Sequence, residues 1–533
     1  MNRNITPRRG GRFALAIAGT AAAAIVLAGC GAGATTDNNG AASGEIDPDA
    51  TIEAGISYAL SGSFDPMIAS GAVTVAANWH IFEGLIDLDP ATRELYPALA
   101  ADFPTKVDDT TYEIDLREGA TFQNGDPVTV EDVIYSYERV LDPANNSLFT
   151  SYIDFIDTVT AVDEDTIQIT TDFPFSLTED RLGIVKIVPK ALVEADAEAF
   201  GANPVGTGPY SLVSATPEDK VVFERYEDYN GPRPALAAGM NWNLLADASA
   251  RVTAMSTGTI QAMEDVPYID VDTLANTPGV EVESVQSFGL LFSMFNTQAA
   301  PFDDVRVRQA VMYALDTDKV IETGMLGNAE AATSFLPADH PDYQEASTVY
   351  SYDVDKAKSL LEEAGVTDLS IDLLTTDTGW VKEVAPLIKE SLDAVGIKVN
   401  LEILQSAAMY ERVDSGNYTV AVAPGDPSVF GNDPDLLMNW WYAPGVWTET
   451  RTQWASTPEF AEFDALLTAG AQQEDAEQAE TWGQAFDLLS EQVSLYPLFH
   501  RQLPTAWNPE ELIDFKPVPT TGLSFLGVGV AAK

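Results

Sequence analysis

The sequence predicts an α/β fold in which helices cover a sheet. Segments with strand and helix periodicity alternate between residues 352 and 423, the order typical of β-α-β units. The chain has 533 residues, 46% of them hydrophobic, which is enough for two or three cores. No internal repeat is evident, so neither a solenoid nor a propeller is expected.

Glycines mark the ends of helices in the regular region. Gly365 and Gly396 each follow a segment of helical period, and Gly416 follows a shorter one. The predicted elements are helix 354–364, strand 369–375, helix 381–395, strand 397–404, helix 407–414 and strand 418–423.

Two further helices are predicted upstream of this region. Thr129, with Asp132 three residues later, begins a helix that stops at Asp142. Another helix follows residues 301–304, and its apolar stripe leaves Arg306 and Arg308 nearer the rim.

Charge and composition disfavour several classes of function. Lys and Arg number 28 against 82 Asp and Glu, a net charge of -54, so nucleic-acid binding and polybasic membrane binding are not expected. Cys30 is the single cysteine, which excludes an intrachain disulfide and a cysteine-ligated metal centre. His80, His340 and His500 lie far apart in sequence, and neither a metal nor another cofactor is expected.

The first thirty residues have the layout of an export signal. Four arginines precede an uncharged apolar run over residues 13–28 that is shorter than a membrane span. The run ends in Leu-Ala-Gly-Cys, which resembles the lipobox of bacterial lipoproteins. We expect a signal peptide over residues 1–29, lipidation of Cys30 and a flexible linker over 30–46. The sequence leaves open whether export is of the Sec or the Tat type.

Five segments resemble, in order, the solute-binding proteins of ABC importers that serve oligopeptides, dipeptides, nickel and related solutes. They are N-W-H-I-F-E-G-L at 78–85, the segment 111–143, N-P-V-G-T-G-P-Y at 203–210 with Y-N-G at 229–231, F-N-T at 295–297 with P-F-D-D-V-R-V-R-Q-A at 301–310, and Y-D-V-D-K-A-K-S-L-L at 352–361.

The resemblance implies a periplasmic-binding-protein type II-like fold with two main lobes, an extra lobe and a hinge. It implies a discontinuous lobe I from residues 47–80, 208–286 and 497–533, lobe II from 81–207 and lobe III from 287–496. These lobes are expected to close around a solute.

Residues 423–454 are the candidate solute-binding segment. Prolines and glycines predict a loop after a strand, and four of the nine tryptophans lie in it. Aromatic walls with carboxylates suit an amphipathic, partly cationic solute. The candidate contacts are Asp426, Asp433, Phe430, Trp440, Trp441 and Trp447, together with Trp380 from a neighbouring loop.

The segment resembles the Gly-Asp and Asp-Pro-Asp loop of peptide-binding relatives, in which an aspartate pairs with the α-ammonium group of the peptide. Asp426 is the first candidate for that role. Asp433 and Asp435 could instead cap a helix that starts near Leu436, and the tryptophans could belong to a lobe core.

One departure from the family affects the expected solute. Some dipeptide-binding members have an arginine for the peptide carboxylate in the loop that corresponds to residues 375–380. This chain has none there, and Lys382 is the nearest cation in sequence. Longer peptides, amines or sugars stacked on Trp380 are therefore alternatives to a dipeptide.

We expect a lipid-anchored extracytoplasmic protein that captures peptides and delivers them to the permease subunits of an ABC importer. It is expected to act as a monomer and not as an enzyme. The alternatives are an oligosaccharide binder of the same class and a secreted hydrolase, which would use the pair Asp303 and Asp304 or the pair Asp433 and Asp435. Helix capping explains both pairs more simply.

Overall fold

An eleven-stranded mixed sheet organises the computed structural model, which describes residues 44–533. A four-stranded antiparallel sheet and two strand pairs accompany it. The strands are β1 Thr51–Ile56, β2 Ile86–Leu88, β3 Leu95–Pro97, β4 Thr105–Asp108, β5 Thr111–Asp115, β6 Ile156–Ala161, β7 Thr166–Thr171, β8 Tyr210–Thr216, β9 Lys220–Arg225, β10 Gly239–Leu244, β11 Ala262–Met263, β12 Glu281–Phe295, β13 Ala329–Ala331, β14 Ser370–Thr376, β15 Lys398–Leu404, β16 Val420–Gly425, β17 Leu495–Trp507, β18 Leu512–Ile513 and β19 Gly529–Val530.

The α-helices are interspersed with the strands along the chain. They are α1 Ala72–Ile81, α2 Val130–Leu141, α3 Thr150–Ile153, α4 Thr178–Arg181, α5 Lys190–Ala195, α6 Ala197–Ala202, α7 Ala248–Ser256, α8 Val271–Ala275, α9 Val305–Tyr313, α10 Thr317–Gly324, α11 Val354–Glu363, α12 Gly379–Val395, α13 Ser406–Asp414, α14 Pro434–Tyr442, α15 Pro458–Gly470 and α16 Asp475–Gln492. None of these helices within residues 44–533 is long and apolar enough to cross a membrane.

The large sheet has two halves joined by two long strands. Its order is β15-β14-β16-β12-β17-β11-β1-β10-β9-β8. Strand β13 lies off this path and pairs with residues 499–501 of β17. We call β8 to β11 with β1 the first half, and β14 to β16 the second half. Only β12 and β17, which pair antiparallel, run between the halves within this sheet.

The pairing of β12 with β17 is interrupted where the strands pass between the halves. Gln286 pairs with Gln502 and Leu290 with His500, so residues 287–289 lie opposite Arg501 alone. Such a bulge bends the strand that carries it. The Ser287 hydroxyl donates to the Arg501 carbonyl at 2.9 Å and so ties the bulge to β17.

The predicted β-α-β region is confirmed with small shifts at the ends. Helices α11 and α13 and strands β14 and β15 lie within one residue of their predicted bounds, whereas α12 begins two residues early and β16 is displaced by two. β14 lies parallel to both β15 and β16. The intervening helices α12 and α13 provide the crossover connections that parallel strands need.

The two upstream helices are also confirmed, with one correction. Thr129 and Asp132 form a reciprocal capping box at the start of α2. Arg306 is exposed, as predicted, but the expectation for Arg308 was wrong because its side chain is buried. Arg308 donates to the carbonyl oxygens of Phe302 and Gln492 at 2.7 Å, so hydrogen bonds offset the burial of its charge.

Candidate functional site

Asp426 lies at the end of β16, where the chain leaves the second half of the large sheet. Its carboxylate accepts hydrogen bonds from the Ser428 hydroxyl at 2.5 Å and the Ser428 amide at 3.2 Å. Thr520 and Thr521 donate to its other oxygen at 3.3 and 3.4 Å. Burial raises the pKa of Asp426, while these hydrogen bonds and the charge of Arg93 oppose that shift.

No Lys, Arg or His nitrogen within residues 44–533 forms an ion pair with Asp426 at 4.0 Å or less. Arg93 is nearby, but its Nη2 donates to the carbonyl oxygens of Ser428 and Gly431. The Asp426 carboxylate is therefore held by hydroxyl and amide donors without a direct cationic partner.

Asp433 lies only a few residues away but in a different environment. Its carboxylate accepts from Arg181 at 2.7 Å and from the Leu436 amide at 2.8 Å, so it caps α14. Asp435 accepts from the same Arg181 nitrogen at 2.6 Å. Burial disfavours the charge of Arg181, but the two carboxylates outweigh that effect and raise its pKa. Asp433 therefore caps a helix and has a counter-ion within the protein.

Trp441 supports the backbone that presents Asp426. Its side chain is 1% exposed and packs on Phe288 and Phe292, with ring centroids 5.9 and 5.8 Å apart. A Cβ on Gly425 would lie 2.6 Å from the Trp441 ring, so glycine permits the close approach. In this structure Trp441 is a core residue and does not reach the cavities described below.

The other three aromatic candidates from the segment are half-buried. Trp447 lies under the guanidinium of Arg451, 4.1 Å from its ring centroid. Trp440 packs on Phe430 at 5.6 Å. Phe430 lines a cavity of about 80 Å³ that also contains Trp79, Arg93, Phe149 and Asp180 in its wall. Phe430 is thus the member of this group that the structure places at a cavity.

Trp380, at the start of α12, lines a different and larger cavity of about 910 Å³. Its wall also includes Tyr58, Asp265 and Tyr268, which follow strands β1 and β11 of the first half of the sheet. The guanidinium of Arg501 lies 4.5 Å from the Trp380 ring centroid. A cation therefore does stand beside this loop, although it comes from β17 and not from residues 375–380.

A smaller cavity of about 20 Å³ shares part of its wall with this cleft. Tyr58 and Asp265 line both cavities. The wall of the smaller one also contains Thr520 and Thr521, the residues that donate to Asp426. Asp426 therefore accepts hydrogen bonds from wall residues of a cavity that shares two residues with the cavity at Arg501.

Sequence reasoning missed Arg501, Tyr58 and Asp265. A signal for Arg501 was present, because it is a charged residue within a largely apolar strand pattern over residues 495–507. Tyr58 and Asp265 follow unremarkable segments, and only the fold brings them to the cleft.

Cys30, the signal peptide predicted over residues 1–29, and residues 30–43 of the linker predicted over 30–46 lie outside the residues that the structure describes.

Comparisons with known proteins agree with this architecture. The family model for bacterial extracellular solute-binding proteins, family 5 Middle, matches residues 94–449. The glutathione-binding protein GsiB of Escherichia coli K12 is 27% identical over 470 residues, covering 87% of this chain and 91% of GsiB.

Solved structures show the same fold. AgaA of A. tumefaciens R10, in complex with agropinic acid, has a TM-score of 0.79 and 25% identity, covering 91% of this chain and 99% of AgaA. DppA of Helicobacter pylori, in complex with the peptide STSA, has a TM-score of 0.79 and 23% identity, covering 91% of this chain and 98% of DppA. The chain therefore belongs to the bacterial extracellular solute-binding proteins of family 5, non-enzymatic proteins that serve ABC importers of the peptide class.

Proposed function

We propose that this protein captures peptides outside the cytoplasm and delivers them to an ABC permease, and that Asp426 binds the ammonium group of the peptide. One observation carries the proposal: Asp426 is a half-buried carboxylate without an ion-pair partner among residues 44–533. The neighbouring Asp433 and Asp435 already share Arg181. A carboxylate in this state gains a partner when a cationic solute enters.

The surroundings of Asp426 favour an ammonium group over a bulkier cation. Four hydrogen bonds fix its two oxygens before any solute arrives, which lowers the cost of ordering on binding. A Cβ on Gly289 would lie 3.5 Å from one of these oxygens, so glycine keeps the approach open. Phe430 and Trp380 remain our proposed apolar contacts, since each lines a cavity.

Named ligands of similar proteins support peptides as the solute class. GsiB is a glutathione-binding protein, and two structural neighbours were solved with the peptides STSA and Met-Leu. Unmodified peptides of this kind carry an amino group that is protonated at neutral pH. These ligands guide the choice of probes for this chain.

We further propose that the two halves of the sheet belong to the two main lobes, with the lobe boundaries given above. β12 and β17 would provide the hinge at residues 287–289. Solute binding favours closure only if the closed form makes additional contacts with the solute. Asp426 and Arg501 lie near the bulge, where they can provide such contacts.

We also propose that the protein is anchored through lipid on Cys30. The Cys30→Ser variant should leave the membrane fraction of its host, whereas wild type stays with it, because acyl chains supply about 0.8 kcal/mol per buried methylene. Retention of the variant in the membrane fraction would contradict the anchor.

Isothermal titration calorimetry tests the solute class. The probes are glutathione, Met-Leu, a pool of random tripeptides and the sugar maltotriose. We expect binding of at least one peptide probe, and the Asp426→Asn variant should weaken it by about 2 to 5 kcal/mol. Asp109→Asn, which changes a surface aspartate that is 84% exposed, is the matched control and should bind as wild type does.

Two outcomes would contradict the proposal. Binding of maltotriose without any peptide would favour the sugar alternative. Peptide binding that is equally strong in wild type and Asp426→Asn would remove Asp426 from the site.

A further inference from the structure

We propose that Arg501 receives a carboxylate of the solute, and that Asp265 occupies the place of that carboxylate in the structure described here. This inference rests on the proposed peptide function and extends it to the second charged end of the solute.

The guanidinium of Arg501 lies at the wall of the cavity of about 910 Å³, and its neighbours fix its position. It is 7% exposed, its Nε donates to the Tyr268 hydroxyl at 3.0 Å, and its Nη2 donates to Asp265 at 3.1 Å. The Trp380 ring lies 4.5 Å from its Cζ atom. Its Nη1 has no hydrogen-bond partner among the residues that the structure describes.

This geometry suits a carboxylate. The planar guanidinium presents parallel N–H donors that match the two oxygens of a carboxylate, and aromatic stacking keeps that plane fixed. A solute carboxylate could accept from Nη1 and Nη2 together, whereas Asp265 accepts from Nη2. The solute therefore offers a hydrogen bond that the internal partner does not make.

The charges around the cavity also favour an anion. Asp265 serves a second arginine, since Arg251 Nη2 lies 3.7 Å from its other carboxylate oxygen. The cavity wall contains three cations, Arg251, Lys382 and Arg501, against the two anions Asp265 and Glu383. A local positive surplus in a chain with a net charge of -54 is a specific feature of this wall.

Asp265 can leave Arg501 at small cost. Its side chain is 35% exposed, so water can solvate the carboxylate when a solute displaces it. Its backbone has a φ of 51°, a left-handed conformation that aspartate tolerates better than most residues. The Arg501 and Asp265 pair is thus an internal substitute that a solute carboxylate can exchange.

The two receptors together define the solute. Tyr58 and Asp265 line both the cavity at Arg501 and the smaller cavity whose wall contains Thr520 and Thr521, the hydroxyl donors to Asp426. An ammonium group at Asp426 and a carboxylate at Arg501 are the two ends of a zwitterionic peptide with a free carboxyl terminus. The loop of residues 375–380 lacks an arginine because β17 provides one.

Calorimetry with two matched probe pools tests the inference: random tripeptides as free acids, and the same pool as carboxyl-terminal amides. Wild type should bind the acids about tenfold or more tightly than the amides. In Arg501→Gln this ratio should fall to about one, because only the acids lose a charged partner. Asp265→Asn should bind the acids more tightly than wild type, because it removes the competing carboxylate.

Two further variants separate a binding role from a folding role. Arg501→Lys keeps the charge but loses the paired donors, and it should give an intermediate ratio if the geometry matters. Arg306→Gln removes a surface arginine that is 45% exposed, and it should keep the wild-type ratio. This control excludes a general effect of net charge.

The outcomes distinguish the inference from the function on which it rests. A ratio near one in wild type, a wild-type ratio in Arg501→Gln, or weaker acid binding by Asp265→Asn overturns the inference. If the amides bind as tightly as the acids and still require Asp426, the peptide function stands and the carboxylate receptor is wrong. If neither pool binds, the peptide function itself fails and the inference fails with it.

Discussion

Replacing Arg181 with methionine should lower the free energy of unfolding by about 3 to 5 kcal/mol, the usual cost of breaking a buried ion pair from one side. The Arg181 side chain is 1% exposed, and those of Asp433 and Asp435 are 4% and 6% exposed. Both carboxylates lie within 2.7 Å of the same nitrogen. The variant leaves two neighbouring carboxylates in a dry site without a cation.

The loss should depend on pH. Burial already raises the pKa of Asp435 to about 6, and Arg181 opposes that rise. Without Arg181, the folded-state pKa of Asp435 rises further above its unfolded value. Stability that depends on a raised folded pKa is lost as pH rises through it, so the deficit of the variant should be larger at pH 8 than at pH 5.

Urea unfolding at these two pH values measures the effect. Arg306→Met is the matched control, because Arg306 also pairs with an aspartate but at the surface, where such pairs contribute about 0 to 1 kcal/mol. Adding Asp433→Asn and Asp435→Asn to Arg181→Met should restore most of the loss, since asparagine also caps helices. A loss in Arg181→Met no larger than in Arg306→Met would refute this account of the buried cluster.

Two further predictions concern the cleft and its support. Burial raises the pKa of Glu264 to about 7, so the free energy of unfolding should fall as pH rises from about 4.5 to 7. Urea unfolding of the Glu264→Gln variant should show a fall that is smaller by about 3 kcal/mol. The exposed Glu383→Gln control should keep the wild-type pH dependence. Trp441→Ala should lower the free energy of unfolding by about 3 to 5 kcal/mol in the same assay, whereas Trp440→Ala should lower it clearly less because Trp440 is half-buried. Equal losses would contradict the core position of Trp441.

Local patterns predicted the elements well, because their signals lie within a few residues. The capping box at Thr129 and the glycines that end α11 and α12 act over one turn of helix. The order of the large sheet could not be predicted in this way. β1 pairs with β10 and β11, and β12 with β17, across separations of about two hundred residues, for which a single sequence carries no pairing signal.

The candidate site was predicted only in part, because a single sequence does not show which distant segments meet in the fold. The segment 423–454 contains both Asp426 and Asp433, but their environments differ because Arg181 arrives from α4, more than two hundred residues earlier. The aromatic composition of the segment predicted an aromatic wall of the solute site. It could not distinguish Trp441, which lies in the core, from Phe430, which lines a cavity. Arg501 lies on β17, outside the segment in which the sequence pattern indicated the solute contacts.

A crystal structure of the protein with a peptide from the tripeptide pool tests the central claim most directly. We predict the peptide ammonium nitrogen at about 3 Å from an Asp426 oxygen and its carboxylate at about 3 Å from Arg501, with Asp265 displaced. A peptide bound elsewhere, for example in the outer groove lined by Glu138 and Lys190, with Asp426 and Arg501 unchanged, would contradict it.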